Sequence, residues 1–232
     1  MCIVMPVLDE AEGIASHLLA LAPLRQRGVR VVVVDGGSRD ATVARATPLA
    51  DAVVPAPRGR GRQLAAGVAA CPARVYLFLH ADTRLPPQAD QLVLAACTHP
   101  AAWGRFDVRL DSPRPLLRLV GRMISWRSRL SGLATGDQAM FMHHRALAAV
   151  GGVPDLPLME DLTLSRALRA RSRPVSLRAS VRTSARRWET RGAWRTILLM
   201  WRLRAAWACG ADPEVLARRY GYRPRQDDAP PA

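Results

Sequence analysis

Lysine is missing from this sequence: all 34 basic residues among its 232 are arginine. An arginine-only, alanine-rich composition is what codon bias in a GC-rich genome produces. The formal net charge of +15 and the pI of 11.4 are then partly a background property. The functional alternative is an anionic partner: a nucleotide diphosphate, a lipid surface or nucleic acid. Cysteine is scarce. Cys2, Cys71, Cys97 and Cys209 show neither metal-ligand spacing nor a disulfide framework, so reduced thiols in a cytosolic protein are expected. Aromatic residues amount to only 5%, and no nucleic-acid-binding pattern is present, which speaks against a nucleic-acid partner. No run of about 18 apolar residues occurs, which excludes a membrane-spanning helix. No leader peptide is expected, because the first residues run straight into an apolar segment and a polar loop. With 49% hydrophobic and 23% charged residues, the chain reads as one soluble globular domain.

Apolar segments and breakers alternate along the first half. Residues 2–8 form an apolar run closed by Asp9-Glu10, which predicts a buried strand. Helical spacing follows over 14–24, ending near Gly28. Residues 29–34 are β-branched at nearly every position, the mark of a parallel strand covered on both faces. Asp35-Gly36-Gly37-Ser38 breaks that run, and Ser38 or Asp40 can cap a helix near 41–47. A strand is expected at 51–54, a Gly-, Pro- and Arg-rich loop at 55–62 and a helix at 63–70. Another strand at 75–79 runs into His80-Ala81-Asp82, and Pro86-Pro87 opens a helix to about 98. This order predicts a Rossmann-like open, mostly parallel sheet with helices on both faces, an α/β fold. The second half is less regular. Strands are expected at 103–110, 139–142 and 175–181, and helices at 113–130, 157–170 and 194–209. From about residue 223 the composition predicts a disordered tail.

Ligands of open α/β sheets bind outside the carboxyl ends of the strands. Asp9-Glu10, Asp35 and Asp82 all fall at such ends, so acids far apart in sequence gather along one rim. Each also has a plainer reading. Asp35-Gly36-Gly37-Ser38-Arg39-Asp40-Ala41-Thr42 suits a carboxylate that accepts from a base or ribose, beside glycines that let a ligand approach. It is equally an ordinary strand–turn–helix connection. Asp82 can hold a hard divalent ion that bridges phosphates, or cap the next helix. His80 faces the site or fills space beneath it. Glu160-Asp161 is a dipole-stabilised helix start, or it carries a general base. The loop Arg58-Gly59-Arg60-Gly61-Arg62 clamps phosphates or is simply solvated. The helix at 194–209, with Trp194, Trp201 and Trp207, packs on the domain or touches lipid headgroups.

Taken together, these residues resemble the family 2 glycosyltransferases, which have the GT-A fold. The resemblance rests on Pro6-Val7-Leu8-Asp9-Glu10, the Asp35–Thr42 run, Gly61-Arg62, Leu79-His80-Ala81-Asp82-Thr83 and Glu160-Asp161. It covers roughly residues 2–170. Gly136-Asp137-Gln138 and Ser184-Ala185-Arg186-Arg187-Trp188 extend it to about 222, toward a bacterial subgroup linked to arsenosugar or selenium-associated gene clusters. The resemblance implies an inverting transferase that moves a sugar from a UDP- or GDP-linked donor to a hydroxyl on a small or lipid-linked acceptor. Pro6, Asp9, Glu10, Asp35, Gly36, Arg62 and Ala81 would line the nucleotide. Asp82 would hold Mg²⁺ or Mn²⁺. Asp161 would be the catalytic base, with Glu160 beside it. Gly136, Asp137, Gln138, Arg187 and Trp188 would serve the donor sugar or acceptor. Residues 1–110 would form a nucleotide-binding half, 111–190 an acceptor half and 191–222 an amphipathic helical region. A cytoplasmic location is expected, with peripheral contact at the inner membrane face.

One position departs from the family pattern. His80 replaces the first acid of the Asp-x-Asp motif, which removes one carboxylate from the ribose or metal. Three rival readings remain. A nucleotidyltransferase needs a Gly-rich phosphate loop after the first strand, where this chain has Asp9-Glu10-Ala11-Glu12-Gly13. A basic nucleic-acid-binding module leaves the rim acids unexplained. An inactive relative sits poorly with intact Asp35, Asp82 and Asp161.

Overall fold

Residues 1–221 are described in a computed structural model. The tail expected from about 223 lies outside them. The first half alternates strand and helix. Cys2–Val7 (β1) leads to Ile14–Ala20 (α1) and Ala22–Gln26 (α2). The single helix expected over 14–24 is two, because Pro23 sits in the first turn of α2 and has no N–H to continue the ladder. Arg30–Asp35 (β2), Thr42–Ala46 (α3), Ala52–Pro55 (β3), Arg60–Ala70 (α4) and Val75–Phe78 (β4) follow. Helix α4 begins inside the segment expected to be loop.

Thr83–Arg84 (β5), Ala89–Ala96 (α5), Trp103–Asp111 (β6), Pro115–Ser131 (α6), Phe141–His143 (β7) and His144–Ala149 (α7) come next. The chain continues through Glu160–Arg169 (α8), Val175–Ser184 (β8), Arg186–Arg191 (α9), Ala193–Ala208 (α10) and Pro213–Tyr220 (α11). Elements β5, α7, α9 and α11 had no counterpart in the sequence pattern, being too short to show a period. No helix among the described residues is long and apolar enough to cross a membrane.

One eight-stranded sheet runs β3-β2-β1-β4-β7-β6-β8-β5. The first four strands are parallel. Beyond β4 the sheet is mixed: β7 is antiparallel to β4 and β6, β8 runs parallel to β6, and β5 antiparallel to β8. Successive side chains of β1 feed two cores. Ile3, Met5 and Val7 pack with Ile14, Leu18 and Val93 on one face. Cys2 and Val4 pack with Leu64, Leu164 and Leu168 on the other. That two-sided burial is why the strand residues are apolar almost without interruption. A register break between Phe106 and Asp107 interrupts the β6–β8 pairing. There the buried Arg105 pairs with Asp107 and donates to the Ser125 carbonyl.

Candidate active site

Two loops at the carboxyl ends of β1 and β2 are stitched to each other. Asp35 is buried, and its carboxylate accepts from the amides of Gly37 and Ser38 and from the Ser38 hydroxyl. The Asp9 amide donates to Ser38 Oγ at 2.9 Å, while Asp9 Oδ1 accepts from the Arg39 amide at 2.7 Å. Asp40 accepts from the Ala11 amide, and Thr42 Oγ1 accepts from the Glu10 amide. The bonds to Thr42 and Ala11 hold the Asp40 carboxyl below its ordinary range. Beneath the loops lies Gln63 of α4, whose Nε2 donates to the carbonyls of Val7 and Val34, both at 2.8 Å. Gly36 is the buried residue packed against that amide. Gln63 was not singled out in the sequence, although a glutamine on the Leu64–Gly67 face of a buried helix was the available signal.

Asp82 is fixed by the far edge of the sheet. Its backbone carbonyl accepts from the Ser184 amide at 3.1 Å, and its Oδ1 lies 3.2 Å from Thr83 Oγ1 and 3.5 Å from Thr183 Oγ1. The short β5–β8 pairing therefore carries the end of β8, and Arg186 just beyond it, to Asp82. Arg186 and Asp82 both act on Glu10. Burial raises the Glu10 carboxyl, Arg186 opposes that, and Asp82 adds to it. The rim acids expected from the sequence thus meet at Glu10 and Asp82. Ala81 is buried beneath the rim, and Pro6 is half-buried near the end of β1.

The second cluster lies where α4, α8 and the 3₁₀ turn Gly136–Gln138 converge. Asp161 Oδ2 accepts from the Gly136 amide at 2.7 Å, and Oδ1 from the Leu162 amide at 2.7 Å. Gly136 has no room for a side chain, since a Cβ would lie 2.5 Å from His80 Nε2. His80, Gly136, Arg60, Glu160 and Asp161 line one small cavity, so His80 faces the Asp161 side. Glu160 is 2% exposed and its Oε1 lies 3.5 Å from Nη1 of Arg60, which is 40% exposed. Burial pushes the Glu160 carboxyl up to about 7, against the pull of Arg60. Burial works to lower the Arg60 guanidinium, but Glu160, Asp161 and Asp82 leave it above its ordinary value. Arg60 is thus the cation that connects the two clusters.

Among the described residues four non-glycines have positive φ, and three flank this site: Asp9 at 53°, Ala139 at 46° and Met159 at 65°. Such backbone is costly for L-residues and collects where geometry matters more than stability.

Several expected residues turn elsewhere. Arg62 pairs with Asp155 at 2.9 Å on the surface, while Arg60 of the same loop reaches the acids. Trp188 packs beside Leu110, Leu117 and Ala185. The Arg187 side chain lies outside the described residues. Asp137 accepts from the Thr135 hydroxyl. Gln138 is buried, and its Oε1 accepts from the Thr135 amide. Arg60 and Arg186, which act on the acids, lie in the same arginine-rich runs as Arg62 and Arg187. Nothing in a run of arginines says which one turns inward.

The family model described as glycosyl transferase family 2 matches residues 2–149, well over half of the chain. The chain belongs to that family. No curated protein matches it. Among solved structures, S. aureus TarS is 16% identical over 79% of this chain and 36% of its own, with a TM-score of 0.62. TarS residues 1–349 in complex with UDP give 0.59 at 16% identity, over 79% of this chain and 60% of that one. Glucosyl-3-phosphoglycerate synthase from Mycobacterium tuberculosis, in complex with Mn²⁺, UDP and glucosyl-3-phosphoglycerate, gives 0.58 at 19% identity, over 77% of this chain and 69% of that one. This chain therefore spans about a third of the full TarS chain. At these identities the likeness shows the fold, which is GT-A.

The family 2 fold raises the question of a divalent ion. Among the described residues no group of three or more His, Cys, Asp or Glu converges, so there is no closed protein cage. Asp82 offers one carboxylate steadied by two hydroxyls. That donor set suits an ion that keeps several waters and completes its shell with phosphate oxygens, as Mg²⁺ does.

Proposed function

We propose that this chain is an inverting glycosyltransferase that moves a sugar from a nucleoside-diphosphate donor to an acceptor hydroxyl. The carrying observation is that Arg60 lines one cavity with His80, Glu160 and Asp161 and also feels Asp82, which in turn acts on Glu10. The loops of Asp9, Glu10, Asp35 and Gly36 hold the nucleoside, with Pro6 and Ala81 beneath. Arg60 and Arg186, which act on the rim acids, meet the diphosphate. Asp82 would hold Mg²⁺ or Mn²⁺, and the ion would supply charge that stabilises the leaving diphosphate. Gly136, Asp137, Gln138 and Trp188 support the sugar and acceptor side.

In the reaction the acceptor oxygen attacks the anomeric carbon and the Asp161 carboxylate takes its proton. The bond from that carbon to the diphosphate oxygen breaks, and the nucleoside diphosphate leaves. The two backbone amides on Asp161 fix its direction, and each oxygen keeps a lone pair for the proton. Residues 1–110 serve the nucleotide and 111–190 the acceptor, followed by the amphipathic helical region. The runs Leu79–Thr83 and Ser184–Trp188 support membership of the subgroup linked to arsenosugar or selenium-associated gene clusters. The free cysteines support a cytoplasmic setting.

Calorimetric titration with UDP and GDP, with and without Mn²⁺, tests the donor site. Binding of one nucleotide that strengthens with metal and weakens roughly tenfold or more in Asp82→Ala is expected. No binding of either nucleotide would sink the proposal.

A second surface supports peripheral membrane contact. On α6, Leu119, Met123, Trp126 and Leu130 are exposed, and on α10 so are Trp194, Leu198 and Trp201. Exposed Arg118, Arg122, Arg195 and Arg202 accompany them. Large apolar side chains among arginines suit an anionic bilayer, and flotation with liposomes reads this contact.

A further inference from the structure

Two partly buried arginines that the transfer reaction does not use stand out. Arg127 extends from α6 and Arg204 from α10. Both Nε and Nη2 of Arg127, and Nε of Arg204, are buried without a hydrogen-bond partner among the described residues. The two charges lie close enough to oppose each other, and both carboxylates nearest Arg127, Asp137 and Asp161, already accept hydrogen bonds. Burial, then the neighbouring Arg204, push the Arg127 guanidinium down to about 10. Arg204, though not Arg127, also lines a cavity of about 50 Å³ together with Arg60, Thr135, Glu160, Asp161 and Tyr220. Buried donors that lack acceptors, two like charges side by side and an adjoining cavity together describe a site short of an anion.

We propose that Arg127 and Arg204 form a subsite beside Asp161 for an anionic group, phosphate or carboxylate, carried by the acceptor. The proposal rests on Asp161 being the base. Arg60 and Arg186 already face the Glu10–Asp82 rim, so the donor diphosphate has cations of its own. Arg127 instead feels the charges of Asp137 and Asp161. A fork of guanidinium donors there would seize an acceptor by its charge and present a neighbouring hydroxyl to the base.

Titration of the whole chain with inorganic phosphate reads the subsite without any transfer reaction, so it stands even if no nucleotide binds. The variants are Arg127→Gln and Arg204→Gln. Arg171→Gln and Arg173→Gln, at exposed positions outside both helices, make the same change of charge. Phosphate binding that weakens roughly tenfold or more in the first pair, holds in the second, and persists with UDP and Mn²⁺ present is expected. Displacement of that phosphate by UDP and Mn²⁺ would assign the anion to the donor and overturn the acceptor assignment. No phosphate binding, or equal loss in all four variants, would overturn the subsite. Melting curves guard against misfolding. Without phosphate the Arg127→Gln and Arg204→Gln chains should melt no lower than wild type, and phosphate should raise the Tm of wild type and of the two control variants but not theirs. A melting point well below wild type would mean that these guanidiniums have partners, and would also overturn the subsite.

Discussion

Glu160 and Asp161 are neighbours in sequence but differ in surroundings. Asp161 is half-exposed and held by two amides, whereas Glu160 is buried against Arg60. An acid whose carboxyl is raised on folding binds its proton more tightly in the native state. Its ionisation therefore costs stability as pH rises from its unfolded value through about 7. Glu160→Gln removes that cost. The variant should be more stable than wild type at pH 8, by roughly 1–3 kcal/mol, and about equal to it near pH 5. Urea unfolding at the two pH values is the measurement. A difference that does not change with pH would show that Arg60 keeps Glu160 ionised throughout. The acids of this site stood out in the sequence because carboxylates at strand ends and helix starts are few. The cations did not, because all 34 basic residues are the same residue and most are solvated.

At the scale of elements, α4 does most to join the two clusters. Its first turn brings Arg60 to Glu160 and Arg62 to Asp155, and Gln63 ties it to β1 and β2. Gly61 makes this approach feasible: a Cβ there would lie 2.2 Å from the Pro154 carbonyl oxygen. Backbone cannot yield as a flexible side chain does. Gly61→Ala should cost about 1–3 kcal/mol and weaken nucleotide binding with it. Denaturant unfolding at an unchanged slope, set beside a nucleotide titration, checks both. An alanine that leaves stability intact would mean that the 154–156 segment shifts freely. The sequence marked Gly61-Arg62 as part of a basic loop. It could not mark the close approach, because Pro154 lies 93 positions away (154 − 61).

For the molecule as a whole, charge and exposed apolar surface act together. A net charge of +15 favours any anionic surface, but α6 and α10 also expose Trp126 at 64%, Trp194 at 72% and Trp201 at 63%. Liposomes containing anionic lipid should carry the chain upward on flotation, and neutral ones should not. Trp194→Ala with Trp201→Ala should abolish the effect while nucleotide binding stays intact. Flotation unchanged in that double variant would leave charge alone as the cause.

The sequence by itself determined the parallel first half of the sheet. Continuous apolar runs between breakers admit few other arrangements, and strand ends then place Asp9, Glu10, Asp35 and Asp82 on one rim. Tertiary structure decided the rest. The mixed order β4-β7-β6-β8-β5, the meeting of Arg186 with Glu10 and the turning of Arg60 inward depend on pairings between residues many positions apart. Local periodicity carries the pattern of burial within an element. It carries nothing about which arginine, among many alike, finds a carboxylate across the fold.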